Sequence, residues 1–447
     1  MQHITIYDYL LLPLYLFLFY ILAKRNTLKF DDLELRKIFL IAFALRMLGS
    51  VAYSMMVQYY YGYGDSFTYY MGGNFIVEQI KADFGNIKYL FISADEMQKL
   101  YSLENGTVGG INGWIGIGST VAVMKVSAVI SILSFNKFLI TSLFLGLFSF
   151  AGQWKLFATF NHINKGKNKK LLAYAVLYTP AIWFWGSGLM KESICLGGLG
   201  FIISILYNGL VKKRIKPLDW VLLVLLVYIV YITKSYIITV LLATLSLTIL
   251  FSFFQKIKII ILRVILSILT LVALSFYVSL SNFSEQINDL AEESAMQIES
   301  YQKNYKITQG EDETSKGGFE MSNLNLSLSS MVLRSPVIVL SCLFRPFLWE
   351  SRKLIILFSS LESTLLLLST LYLLFKMRIL GFFKLIFSNP YIFFCFVLSV
   401  LFAAIIGFTT FNFGTMVRYK IMLLPFYYFM LTIIFTKVME KKQVQAP

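Results

Sequence analysis

Charge is scarce in this chain: Asp, Glu, Lys and Arg supply 14% of its 447 residues, against about 25% in an ordinary soluble domain. Histidine is scarcer still. His3 and His162 stand alone, so the sequence offers no metal-ligand spacing. The three cysteines (Cys195, Cys342, Cys395) lie far apart in apolar surroundings and read as core residues. There is no Gly-x-x-x-x-Gly-Lys-Ser/Thr run, which argues against nucleotide hydrolysis. No basic n-region precedes the first apolar run and no small-residue cleavage site follows it, so that run is expected to remain as a helix. A repeat of 20–50 residues is also missing, which weighs against solenoids and against carriers built from duplicated halves.

What the chain does have is length of apolar sequence: 57% of residues are hydrophobic and the mean hydropathy is +0.71. Runs of ~17–25 apolar residues, enough to cross a bilayer as helix, recur from one end to the other. Closed barrels show short alternating segments instead. The expected fold is therefore all-α, a polytopic transmembrane helical bundle forming a single integral-membrane domain over residues 1–447. Spans are expected near 6–23, 38–58, 138–160, 171–190, 193–210, 220–233, 236–254, 262–280, 354–375, 391–408 and 421–435. The formal charge of +16 falls in short basic clusters between these runs, a positive-inside pattern that reports topology and not nucleic acid. Placing the clusters in the cytoplasm gives about 11 spans, an outer N-terminus and a cytoplasmic C-terminus. Residues 111–134 are apolar but glycine-rich and read as re-entrant or interfacial. A full crossing there would make about 12 spans and move the N-terminus inside.

On this map several charged motifs share the outer face. Asp65 lies in an outer loop over 59–110 that opens Tyr-Tyr-Tyr-Gly-Tyr-Gly-Asp-Ser. Tyrosines offer flat rigid surfaces for sugar rings, and a carboxylate can take a proton from a hydroxyl; the plain alternative is an interfacial aromatic belt with a solvated Asp. Lys191 and Glu192 follow Trp-Gly-Ser-Gly-Leu-Met between two apolar runs, where charge is costly unless paired or facing a wet cavity. Arg345 and Glu350 bracket Pro-Phe-Leu-Trp, and Arg418 and Lys420 precede the last span. These cations suit phosphate, lysine as a point charge and arginine as a bidentate fork, although a lone basic residue at a helix end more often snorkels to lipid head groups. Arg46 and Glu362 lie inside spans and form a second tier, either functional or structurally paired. A second polar outer segment, 281–330, is rich in acidic residues.

Asp65 in an early outer loop, Pro-x-x-x-Phe-Trp-x-Ser-Gly-x-x-Lys-Glu over 180–192, and Arg-Tyr-Lys-x-x-x-Leu-Pro from Arg418 resemble bacterial envelope-polysaccharide membrane proteins. They are similar to GT-C-type glycosyltransferases and, more loosely, to O-antigen-polymerase-like proteins. The resemblance covers about a tenth of the chain in scattered short motifs. It implies a GT-C-like or polymerase-like bundle in the bacterial inner membrane that uses a polyprenyl-phosphate- or diphosphate-linked saccharide at the outer face. Asp65 would then be the catalytic base. Lys191, Arg345 and Arg418, with Lys420 beside them, would hold the departing phosphate, and Glu192 and Glu350 would fix those cations. The implied partners are the polyprenyl-linked saccharide, membrane lipid and other envelope-biosynthesis proteins, with no nucleic acid. No cofactor is evident, and the sequence leaves a divalent metal open. A flippase for a lipid-linked or anionic solute and a structural subunit of an envelope export complex are the alternative readings.

Overall fold

The computed structural model describes residues 3–105, 115–256, 328–351, 354–410 and 413–445. Among them every regular element is helical. Seven helices are long and apolar enough to cross a membrane, or eight when the bent pair Phe413–Lys420 and Leu424–Glu440 counts as one span. The chain is thus a multi-pass helical membrane protein. The expected span at 262–280 and nearly all of the acidic segment lie outside the described residues. The chain divides into two compact units, residues 1–239 and 240–447.

The first unit starts with α1 (Ile6–Thr27). Asp8, fully buried, accepts the Thr5 N–H at 2.9 Å and the Leu139 N–H at 3.0 Å, so one carboxylate caps two helix starts. Asp32 caps α2 (Leu33–Met55) by accepting from the Glu34 N–H. A π-helical turn, Met56–Tyr61, extends α2 to Gly62, whose φ of 71° only glycine adopts freely. The expected loop over 59–110 is largely helical: α3 (Asp65–Ala82), a 3₁₀ turn (Phe84–Leu90) and α4 (Ala94–Asn105). They fold on α5 (Gly118–Ser134) around a small core of Ile76, Tyr89, Met97, Ile115, Val121 and Met124. At 17 residues α5 is shorter than a full span.

α6 (Phe138–Ile163) and α9 (Lys191–Leu210) form the centre of this unit. They run side by side in the same direction. A Cβ on Gly152 would lie 2.0 Å from the Gly197 carbonyl oxygen, and farther along His162 Nδ1 meets the Tyr207 hydroxyl at 2.9 Å. Between them the run 171–190 is not the continuous helix its hydropathy suggests. α7 (Lys169–Ala173) passes into a π-helical turn at Tyr174–Tyr178, Thr179–Pro180 breaks the chain direction, and α8 is only Pro180–Trp185. α10 (Pro217–Thr233) and α11 (Ser235–Lys256) follow.

The second unit takes α11 from Val240 onward and contains α12 (Leu328–Phe344), α13 (Leu354–Ile386), α14 (Pro390–Thr409), α15 (Phe413–Lys420) and α16 (Leu424–Gln445). α13 kinks at Arg378, where φ is 59°, and α15 meets α16 at a 60° bend.

Candidate functional site

The segment 169–190 climbs alongside α2. Lys169 pairs with Asp32, the Tyr178 hydroxyl donates to the Ile38 carbonyl, and the Ser50 hydroxyl donates to the Ser187 carbonyl at 2.9 Å. At the top of this climb Arg46 is buried, and its Nη1 donates to the Gly186 carbonyl at 2.7 Å, the Ser149 hydroxyl at 3.0 Å and the Ile182 carbonyl at 3.2 Å. The Gly186 carbonyl follows α8, where helical partners run out, while the Ile182 carbonyl also accepts the Gly186 N–H at 3.2 Å. Arg46 therefore satisfies the Trp-Gly-Ser-Gly break, and this structural use accounts for a charge inside a span.

The chain then turns into α9 at Lys191. The α6–α9 register puts Lys191 level with Gly146, where a Cβ would meet both Ser50 and Ser187. Gly146 is eight residues from the start of α6 and Ser50 is eleven from the end of the extended α2 at Tyr61, or about 12 and 16 Å at helical rise. The Lys191–Glu192 turn is thus recessed below the ends of its neighbours and not raised on an outer loop.

The two charges separate at that point. Adjacent residues on a helix point about 100° apart, and Glu192 turns inward to form an ion pair of 2.8 Å with Lys234 in the α10–α11 turn, both side chains under 10% exposed. The carboxylate also sits in the first turn of α9, where the helix dipole favours it. Glu192, expected beside Lys191 as a catalytic group, forms the pair that ties two hairpin turns together. Lys191 remains half-buried, donating to the Ser119 hydroxyl at 2.8 Å with its ammonium 5.9 Å from the centre of the Tyr69 ring. Tyr69 is one turn beyond Asp65 on the same face of α3. The start of α3 is fixed against this region from below: the hydroxyls of Tyr53 and Ser66 are 2.9 Å apart, and the Tyr53 ring covers Gly188, leaving no room for a Cβ. Asp65 itself is half-exposed at the start of α3, after the exposed Tyr59, Tyr60, Tyr61 and Tyr63.

In the second unit, Arg345 pairs with Glu350 through both oxygens, and Glu350 also accepts the Phe347 N–H at 2.8 Å, closing the turn on itself. The Arg345 guanidinium lies 5.2 Å from the centre of the Phe413 ring, and Phe347 stacks on Trp349. Lys420 departs from expectation. It is buried, and its ammonium donates to the Leu343 and Arg345 carbonyls at 2.9 Å and to the Ser363 hydroxyl at 3.0 Å. An ammonium has three N–H donors, so none is left for a phosphate, and Lys420 braces the end of α12. Glu362 precedes Ser363 on α13, half-exposed, and Arg418 is half-exposed with its guanidinium 5.3 Å from the centre of the Tyr419 ring.

The structure thus gathers Lys191 with Ser119, Tyr69 and the start of α3 in the first unit, and Arg345 with Glu350 and Lys420 in the second. Lys234 and Ser119 are the participants that sequence reasoning missed. A single lysine in a tight turn between two apolar runs was the available signal for Lys234. Among the described residues no group of three or more His, Cys, Asp or Glu is placed to hold a metal ion. No family model, curated protein or solved structure matches the chain.

Proposed function

We propose that the chain is a membrane glycosyltransferase or polysaccharide polymerase of the GT-C-like or O-antigen-polymerase-like kind, taking its sugar from a polyprenyl-phosphate or -diphosphate carrier at the outer face of the inner membrane. The observation that carries this reading is the position of Lys191. Its ammonium is held by a hydroxyl and by the ring of Tyr69, at a turn whose backbone is recessed about 12 Å from the end of α6, and Tyr69 is one helical turn from Asp65 on α3. A phosphate carried on a lipid reaches such a recess between membrane-spanning helices without leaving the bilayer.

In this reading the acceptor hydroxyl oxygen attacks the anomeric carbon, and Asp65 takes the hydroxyl proton as general base. The bond from the anomeric carbon to the phosphate oxygen breaks, and the charge gathering on the leaving phosphate is met by Lys191. The exposed tyrosines before Asp65 give the sugar rings faces to stack on. Arg345 and Arg418 are further phosphate-binding candidates, each on its own merits. Arg46, Glu192 and Lys420 shape the protein and make no substrate contact.

The test is complementation in the native host. Surface glycan is scored by gel for Asp65→Asn, Lys191→Ala, Arg345→Ala and Arg418→Ala, with membrane protein levels followed by blot. Loss or shortening of glycan at normal protein levels for Asp65→Asn and Lys191→Ala is the expected result. Unchanged glycan in both would end the transferase reading and favour a carrier or a scaffold.

A further inference from the structure

One surface of the first unit has no part in that reading. The 3₁₀ turn Phe84–Leu90 and the residue after it present Phe84, Ile87 and Phe91 outward, with Phe84 74% and Phe91 81% exposed. The turn is built to hold them there. Tyr89 points the other way, buried with Ile76 and Met97 in the core under α3. Asp83 accepts the Gly85 N–H at 2.9 Å, Asn86 donates to the Gln79 carbonyl, and Lys125 of α5 donates to the Ile92 carbonyl at 2.6 Å. A turn with this many fixing bonds that still exposes three large apolar side chains is rigid and has an apolar tip. Lys81 and Lys88, both exposed, flank the tip.

Its position follows from α5. The C-terminal end of that helix is tied to α6 through Ser134 and Thr141, whose hydroxyls are 2.7 Å apart. Its start is tied to Lys191 through Ser119. α3 runs antiparallel on α5, with Gly72 against Met124 near its middle and Tyr70 donating to the Asn136 carbonyl at its start. The turn at the far end of α3 consequently sits beside the start of α5, packed with Val121 and Met124. The exposed Val129 and Ile132 give α5 an apolar surface of its own.

We infer that the 84–91 turn is an interfacial membrane anchor. Phe84, Ile87 and Phe91 enter the boundary between head groups and acyl chains, and Lys81 and Lys88 reach back to lipid phosphates, as amphipathic interfacial elements do. The occupant of this surface is the lipid bilayer, and the anchor holds the α3–α5 layer, and with it the start of α3, against the membrane plane.

The experiment places a nitroxide spin label at Phe84→Cys, Phe91→Cys or Asp95→Cys in the full chain lacking its three native cysteines (Cys195→Ala, Cys342→Ala, Cys395→Ala). Each variant is reconstituted in phospholipid nanodiscs after confirming a monodisperse elution profile. Power saturation then compares collision with oxygen, which dissolves in acyl chains, and with a water-soluble nickel chelate. Labels at 84 and 91 are expected to favour oxygen, at a depth of about 5–10 Å, while the label at the exposed Asp95 of α4 favours nickel. If 84 and 91 favour nickel as Asp95 does, the anchor is refuted. If both are shielded from either reagent, protein covers the turn, and the lipid assignment falls in favour of a protein partner.

Discussion

The two units use acid–base pairs in opposite ways. In the first, Glu192 and Lys234 are 42 residues apart and meet at 2.8 Å with side chains 2% and 7% exposed. In the second, Arg345 and Glu350 are five residues apart, bracket one turn, and keep 23% and 17% exposure. The distant pair joins two hairpin turns that nothing local would bring together, so its loss is felt by three helices. The near pair closes a turn that Lys420 already braces from another side. Burial decides the energetics: breaking one partner of a buried pair costs about 3–5 kcal/mol because the other charge is stranded, while a partly exposed pair is worth about 0–1 kcal/mol.

The largest expected effect tests the first half of that contrast. Lys234→Met removes the ammonium that pairs with the buried Glu192, and should destabilise the protein by about 3–5 kcal/mol. The double variant Glu192→Leu/Lys234→Met removes both charges and should recover most of the loss, because an apolar replacement of a buried pair is often neutral or better. Denaturant unfolding in detergent, run as a double-mutant cycle, reads the coupling. Equal destabilisation by the single and double variants would mean that volume, not charge, is what the junction needs.

A second comparison sharpens the other half. Lys420→Met takes donors from two carbonyls and a hydroxyl in one step and is expected to cost about 1–3 kcal/mol. Glu350→Gln, which keeps an acceptor for the Phe347 N–H, should cost at most about 1 kcal/mol. If Glu350→Gln proved the more damaging, the turn would depend on its own ion pair and the brace from α15 would be incidental.

These differences also explain which parts could be read from the sequence. The spans at α1, α2, α6, α9, α11, α13 and α14 were legible because bilayer burial demands uninterrupted apolar length, which is a local property. The Arg345–Glu350 turn was legible for a similar reason, since its partners lie within one turn of a proline. Hydropathy could not reveal that 171–190 is broken, because apolar content does not report where backbone hydrogen bonds stop. The cue was in Pro180, Gly186 and Gly188, and in an arginine at position 46 whose guanidinium donates to carbonyls at the break. Lys191 and Glu192 read naturally as one motif, yet neighbours on a helix face different ways and these two find partners on different helices. Which lysine Glu192 would meet is a consequence of how α9 and α10 pack, and no spacing encodes it. The helices of 65–105 were missed because a small core assembled from well-separated residues, such as Ile76, Met97 and Met124, leaves no long apolar run.

The third ion pair extends the contrast to the water-facing limit and carries the smallest expected effect. Asp32 and Lys169 also join distant segments, but their side chains are 31% and 24% exposed. The hydrogen bond from Lys169, followed by that from the Glu34 N–H, holds the Asp32 carboxyl below its ordinary value of 3.8. A carboxyl with a depressed value in the folded state contributes stability above the unfolded value and loses it as pH falls through the folded one. Asp32 should therefore stabilise the start of α2 at neutral pH and cease to do so under acid. Asp32→Asn keeps an oxygen to cap the helix but removes the charge, so it separates the cap from the pair. Unfolding midpoints between about pH 2 and pH 6 should fall with acidification more steeply for the wild-type chain than for Asp32→Asn, and the two curves should converge at the acid end. Parallel curves would show that capping alone fixes this end of the hairpin. Distance along the chain would then matter only where the pair is also buried, as it is for Glu192 and Lys234.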